Sequence, residues 1–141
     1  MANNSELPLV TPVTLAAFEA QRGELVKKTV ARAMARPQEV AQHGVEAEQL
    51  LTVGLDFTTQ ALAVAMRLHD GEMLDQQLRW GNDRLPHDGV SAVQVLHRLE
   101  DLAEVVSATL AEGDAAVVNA YVKRMIGQER ALIADMQGTK L

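Results

Sequence analysis

The chain has 141 residues, with 13 basic and 19 acidic side chains, a net charge of −6, and no cysteine. The acidic balance argues against a nucleic-acid-binding surface, and the lack of cysteine excludes disulfides and thiolate metal sites. Hydrophobic residues make up 48% of the chain and aromatic ones only 3%, which favours a helical protein with an aliphatic core. No apolar run is long enough to cross a membrane and no signal-peptide pattern is present, so we expect a cytoplasmic protein.

The N-terminal part of the chain predicts an arm followed by a long helix. Residues 1–10 are polar and contain a proline, and we expect a flexible arm before a single domain at 11–141. Thr11 and Pro12 are typical of a helix start, with threonine as the N-cap and proline in the first turn. Apolar residues then recur at helical spacing to about Arg36, which predicts the first long helix.

Two further helical segments are predicted before residue 70. Residues 37–44 begin with proline and end with glycine, a pattern typical of a short helical turn. A second long helix is predicted from Val45 to Leu68. Its small residues Gly54, Thr58 and Ala61 lie on one face, where we expect a neighbouring helix to approach closely.

A shorter helix and then the most clearly marked helix of the chain follow. The shorter one is predicted over residues 71–83, with Trp80 near its end. The next begins at a capping box of Ser91 and Gln94, and we expect it to continue to Gly113. Its apolar residues recur every three or four positions and form one stripe: Ala92, Leu96, Leu99, Ala103, Val106 and Leu110.

The last predicted helix runs from an N-cap at Asp114 to about residue 137. The short link before it predicts that the last two helices form a long antiparallel hairpin. No segment alternates with the period of a strand. We therefore predict an all-α fold of about five to six helices.

Candidate catalytic, cofactor and metal residues are few. Phosphate-binding glycine motifs, zinc-protease motifs and nucleophile elbows are absent, and the acidic residues lack metal-ligand spacing, so we predict neither an enzyme nor a metal site. His43 and His87 fall in predicted loops, and His69 at a helix C-terminus where a cationic imidazole is favoured. Each of the three is expected to be solvated or to cap a helix.

His97 is the histidine that could hold haem, because it lies on a strongly amphipathic helix. At about 100° per residue, however, it falls opposite the apolar stripe and beside Asp101 and Glu104. We therefore expect His97 to face water and predict no cofactor; haem ligation by His97 is the alternative. Gly54, Trp80 and Tyr121 are candidates for the lining of a pocket between helices.

The order of elements resembles the sensory domains of RsbR-type stressosome proteins. The resemblance rests on W-x-x-x-R-L followed by G-V-S-x-x-x-V-L-x-x-L-x-x-L, and extends over most of residues 11–137. The residues that carry it are Arg84, Leu85, Gly89, Val90, Val95, Leu96, Leu99 and Leu102. It implies a globin-like fold without haem, a dimer, and terminal helices that run toward an output domain in a stress-response pathway.

We therefore predict a non-enzymatic sensory module that forms a homodimer through its last two helices and relays a signal to partner proteins. A helical domain that binds a small apolar ligand, and a haem or tetrapyrrole globin, are the alternatives. The residues predicted to form the packing or dimer surface are Leu96, Leu99, Ala103, Val106, Leu110, Val118, Val122, Met125 and Leu132.

Overall fold

Six α-helices dominate the computed structural model, which describes residues 6–85 and 89–139. No strand occurs within these ranges, so the predicted all-α class is confirmed. No helix in the described part of the chain is both long and apolar enough to cross a membrane. The helices are α1 (Pro12–Met34), α2 (Pro37–His43), α3 (Ala47–Leu68), α4 (Glu72–Arg84), α5 (Ala92–Thr109) and α6 (Glu112–Thr139), with a 3-10 turn at Gly44–Glu46.

The helix starts follow local capping chemistry. The Thr11 hydroxyl accepts a hydrogen bond from the Thr14 backbone N–H at 3.2 Å, which confirms the predicted N-cap of α1. At the start of α5, Ser91 Oγ accepts from the Gln94 N–H at 3.2 Å, and Gln94 Oε1 accepts from the Ser91 N–H at 2.9 Å. The predicted capping box is therefore present.

The link between α5 and α6 differs from the prediction. Helix α5 ends at Thr109 with Leu110 as its C-cap, and Gly113 lies in the first turn of α6. Asp114 is not an N-cap, because α6 has already begun; its Oδ1 instead accepts a hydrogen bond from the Thr14 hydroxyl at 2.7 Å. A contact between residues 100 positions apart has no signal in the local sequence.

The end of the N-terminal arm is held against the domain. Leu7 is buried, its carbonyl oxygen lies 2.9 Å from His69 Nε2, and the Pro8 carbonyl accepts a hydrogen bond from the Tyr121 hydroxyl at 2.8 Å. A Cβ on Gly71 would lie 2.6 Å from Leu7 Cδ1, so the glycine makes the room that Leu7 fills. Leu7 and Pro8, in the segment predicted as a flexible arm, thus pack against the domain, while residues 1–5 lie outside the described residues.

One main core and a smaller cluster hold the helices together. The main core joins residues of α1, α3, α4, α5 and α6, with Phe18 and Tyr121 among its fully buried members. A second cluster packs the C-terminal half of α1 against the start of α3. Between α4 and α6, a largely buried ion pair joins Asp75 Oδ2 to Arg124 Nη2 at 2.9 Å. These contacts fix the relative positions of the helices that surround the candidate site.

Candidate functional site

The residues predicted as a packing or dimer surface lie mainly in the core of the single chain. Six of them are buried there: Leu99, Leu110, Val106, Val118, Val122 and Met125. The other three, Leu96, Ala103 and Leu132, are half-buried and pack against that core. The buried face of α5 is also wider than the predicted stripe and includes Leu102 and Val105, because α5 packs against both α1 and α6.

A groove between α3, α4, α5 and α6 is the candidate functional site, and it has a volume of about 150 Å³. Gly54 and Trp80, two of the three predicted pocket residues, both line it. Its remaining apolar walls come from Leu55, Phe57, Leu78, Leu85, Val95, Leu99 and Met125. We refer to this site as the groove throughout.

Gly54 and Thr58 both line the groove, and Gly54 faces open space there. A Cβ built on Gly54 would meet no other heavy atom within 4 Å. The expectation that these small residues allow a close helix–helix approach is therefore wrong at Gly54. The absence of a side chain there helps to keep the wall of α3 open.

Tyr121, the third predicted pocket residue, lies away from the groove. Its side chain is fully buried in the main core, and its hydroxyl donates to the Pro8 carbonyl. Burial raises the pKa of this phenol. Its polar end therefore secures the arm and leaves no hydrogen-bonding role toward a ligand in the groove.

Arg98 provides one of the polar side chains that line the groove. Its Nε donates to Glu39 Oε2 at 2.8 Å and its Nη2 to Glu39 Oε1 at 3.2 Å, so the two side chains form a fork-shaped pair. Glu39 also accepts from Gln94 Nε2 at 2.7 Å, which links the capping box of α5 to α2. The Glu39 side chain is only 2% exposed.

The electrostatics of Glu39 follow from these partners. Burial on its own raises the pKa of the carboxyl, but the hydrogen bond and charge of Arg98, the Gln94 amide and the charge of Arg36 outweigh it. The pKa of Glu39 is consequently lowered, and the carboxylate is charged at neutral pH. Arg98 thus reaches the groove with its charge already matched.

Asn82 and Glu129 form a second polar pair beside the groove. Asn82 Nδ2 donates to Glu129 Oε1 at 2.8 Å and to the Leu78 carbonyl at 2.8 Å. Glu129 is completely buried, and its Oε2 has no hydrogen-bond partner among the described residues. Burial raises the pKa of Glu129 and outweighs the opposing effect of the Asn82 hydrogen bond.

None of the three described histidines lines the groove. His97 is half-buried on α5, whereas we expected it to face water, and it is not a lining residue. His69 is the left-handed C-cap of α3, with a φ of 50°, and His43 is the half-buried last residue of α2. His87, with the predicted turn residues Pro86 and Asp88, lies outside the described residues.

The described lining of the groove combines apolar walls with a few polar side chains. The polar side chains among its described lining residues are two amides, a threonine and a guanidinium. Over residues 6–85 and 89–139, no group of three or more histidine or acidic side chains is placed to hold a metal ion. The groove is suited to enclosing a small molecule.

Asn82, Arg98, Glu39 and Glu129 were not predicted from the sequence. Glu129 did carry a signal, because it continues the three- and four-residue spacing of Val122 and Met125 and so occupies a core position as a charged residue. Its partner Asn82 follows the buried Leu78 by one helical turn in the same way. Glu39 and Arg98 carried no comparable signal.

Comparison with known proteins adds no relative. No protein-family model matches the chain, and neither a curated protein nor a solved structure matches it significantly. Its function must therefore be inferred from its own residues.

Proposed function

We propose that this chain is a non-enzymatic sensory module that takes a small apolar ligand into the groove and relays its occupancy to partner proteins. The observation that carries the proposal is the groove itself. Its volume of about 150 Å³ equals that of engineered protein cavities that bind benzene. An apolar lining with a few polar side chains is typical of a small-molecule site.

A ligand in the groove would contact both α5 and α6, and this is how its binding could reach the rest of the molecule. Val95 and Leu99 bring α5 to the groove, and Met125 brings α6. These two helices also pack along each other, where Asn119 Nδ2 of α6 donates to the Ala103 carbonyl at 3.0 Å and to Ser107 Oγ at 2.9 Å. A ligand that prefers one relative position of α5 and α6 would shift their equilibrium toward it.

The proposed arrangement is globin-like, as in RsbR-type sensors, with α5 and α6 as an antiparallel hairpin and a cytoplasmic homodimer as the signalling unit. The dimer contact is assigned to the C-terminal turns of α6, since the buried residues of α5 and α6 are already used by the core. Leu132 and Ile133 are only half-buried there, and Met136 is 42% exposed. Such apolar residues are stabilised by a partner surface.

Filling the groove tests the ligand-binding function. Gly54→Leu would project a side chain into the groove, whereas Gly23→Leu adds the same side chain to α1, where a Cβ also meets nothing within 4 Å. A thermal-shift screen of small aromatic and aliphatic molecules should give stabilising compounds for the wild type and Gly23→Leu. Loss of these shifts in Gly54→Leu alone supports the groove, and equal shifts in both variants contradict it.

Sedimentation at micromolar concentration tests the dimer. We expect the wild type to sediment as a dimer and Met136→Asp as a monomer, because the charge would enter the proposed contact. A monomeric wild type would contradict the dimer. An absorption scan separates the haem alternative, since a Soret band lost in His97→Ala would contradict the proposed function.

A further inference from the structure

The hydrogen bonds of Asn82 determine what a ligand can meet at one end of the groove. A side-chain amide has two N–H donors, and both are used, one by the Leu78 carbonyl and one by Glu129. The Leu78 carbonyl can only accept, so it fixes which end of the amide carries the N–H groups. No hydrogen bond from another described residue reaches Asn82 Oδ1, so this oxygen is the atom left for a ligand, and it is an acceptor.

The charges around the groove are balanced at its other end. Arg98 is paired with Glu39, and Arg36 Nη1 lies 2.6 Å from Asp101 Oδ2. The charges of these two guanidinium groups and two carboxylates sum to zero. An anionic ligand at Arg98 would have to compete with a carboxylate that already holds two of its nitrogens.

The carboxyl behind Asn82 makes a negative charge still less favourable there. Glu129 has no cationic partner among the hydrogen bonds and ion pairs of the described residues, and its Oε2 is buried. An anion bound at Asn82 would lie next to this buried carboxyl, which no described cation pairs with. Both ends of the groove thus disfavour an anion, and its largely apolar walls disfavour a charge of either sign.

The volume of the groove and the side chains at its opening indicate the size and the aromatic character of the ligand. A volume of about 150 Å³ accommodates a single six-membered ring. Phe57 and Trp80 line the groove and are 53% and 59% exposed, so their rings border its opening. Aromatic rings stack favourably on such side chains.

We propose that the groove selects an uncharged single-ring aromatic molecule that donates a hydrogen bond to Asn82 Oδ1, with phenol as the simplest example. This inference rests on the proposed ligand-binding function and specifies its ligand class. The ring occupies the apolar walls, and its hydroxyl satisfies the one hydrogen-bonding atom that Asn82 leaves open. An amide N–H or an aromatic amine would satisfy the same atom.

Trp80 is the only tryptophan of the chain, so its fluorescence reports directly on the groove. We would titrate the wild type with phenol, anisole, toluene and benzoate, which share the ring and differ in donor and charge. Phenol should bind about tenfold more tightly than anisole or toluene, the effect of one hydrogen bond, and benzoate should bind most weakly. The same titration in Gly54→Leu should lose the phenol response, and Gly23→Leu should keep it.

The role of Asn82 is tested with the double variant Asn82→Leu/Glu129→Leu, which leaves no unpaired buried carboxyl. Phenol and anisole should then bind equally. A phenol preference that survives in this variant overturns the role of Asn82. If the variant does not fold, the wild-type titrations still test the inference. Equal binding of phenol and anisole would overturn the role of the hydrogen-bond donor. Tighter binding of benzoate than of phenol would overturn the preference for an uncharged ligand.

The failure of the inference and that of the proposed function give different results. If anisole, toluene or benzoate saturates the groove as well as phenol does, ligand binding stands and the selectivity is wrong. If none of the four changes Trp80 fluorescence, and the signal instead depends on protein concentration, a second copy of the chain covers the groove. Both the inference and the proposed function would then be overturned.

Discussion

Glu39 and Glu129 are two buried glutamates whose charges are controlled in opposite ways. Each stands behind a polar side chain of the groove, Glu39 behind Arg98 and Glu129 behind Asn82. They are 1% and 0% exposed, so burial is nearly the same. The pKa of Glu39 is lowered because a guanidinium pairs with it, and that of Glu129 is raised because burial outweighs its single amide partner. A guanidinium partner is thus what lowers the pKa of Glu39, and without one burial raises the pKa of Glu129.

The largest effect is expected where the charged pair is broken. Arg98→Met would leave the Glu39 carboxylate buried without its cation, and should lower the free energy of unfolding by about 3–5 kcal/mol. Chemical denaturation at neutral pH measures the loss. The control is Arg98→Met/Glu39→Leu, which replaces the whole pair by apolar side chains and should recover most of the stability. A double variant as unstable as the single one would show that the damage comes from lost packing.

A smaller loss of stability, one that depends on pH, is expected when Glu39 itself is replaced. Its pKa is lowered in the folded state, so its stabilisation is present above the ordinary value of 4.5 and is lost as the pH falls through the folded pKa. Glu39→Gln should lower stability at neutral pH by about 1.5–3 kcal/mol, the contribution of hydrogen bonds to a charged group. Denaturation curves from neutral to acidic pH should show less acid sensitivity in this variant. An unchanged acid slope would contradict the pairing.

Glu129→Gln should act in the opposite direction. The pKa of Glu129 is raised in the folded state. Below the ordinary value of 4.5 the carboxyl is protonated in both states and does not lower the free energy of unfolding. This free energy then falls as the pH rises from 4.5 through the folded pKa. Glutamine resembles the protonated form and can still accept from Asn82. The variant should therefore be more stable at neutral pH by about 0.5–2 kcal/mol and equal to the wild type in acid. A loss of stability at neutral pH would show that the charged carboxylate is needed.

These two glutamates also mark the limit of sequence-based prediction. The bounds of α1 and α2 and the start of α5 were predictable, because prolines, N-caps and the Ser91–Gln94 box act on residues three or four positions away. The two hydrogen-bonded pairs beside the groove join residues far apart in sequence. Asn82 and Glu129 are separated by 47 positions, and Arg98 and Glu39 by 59. Such contacts depend on how the helices pack, which the spacing of apolar residues does not determine.

The smallest change in stability is expected for Gly54→Ala, at the wall of the groove that α3 provides. A glycine inside a helix lowers its stability by about 0.5–1 kcal/mol relative to alanine, and a Cβ on Gly54 would meet nothing within 4 Å. Gly54→Ala should therefore raise the free energy of unfolding by about that amount, without changing the pH dependence that Glu39 and Glu129 produce.

Gly71→Ala is the matched contrast, because its Cβ would lie 2.7 Å from Arg124 Cζ and 2.6 Å from Leu7 Cδ1. Since Arg124 is held by Asp75, the added methyl group should destabilise the fold by about 1–3 kcal/mol. Thermal and chemical denaturation of both variants measure the difference. If Gly54→Ala were also destabilising, the wall of α3 would be packed against something, and the space between Arg98 and Asn82 would be smaller than the groove requires.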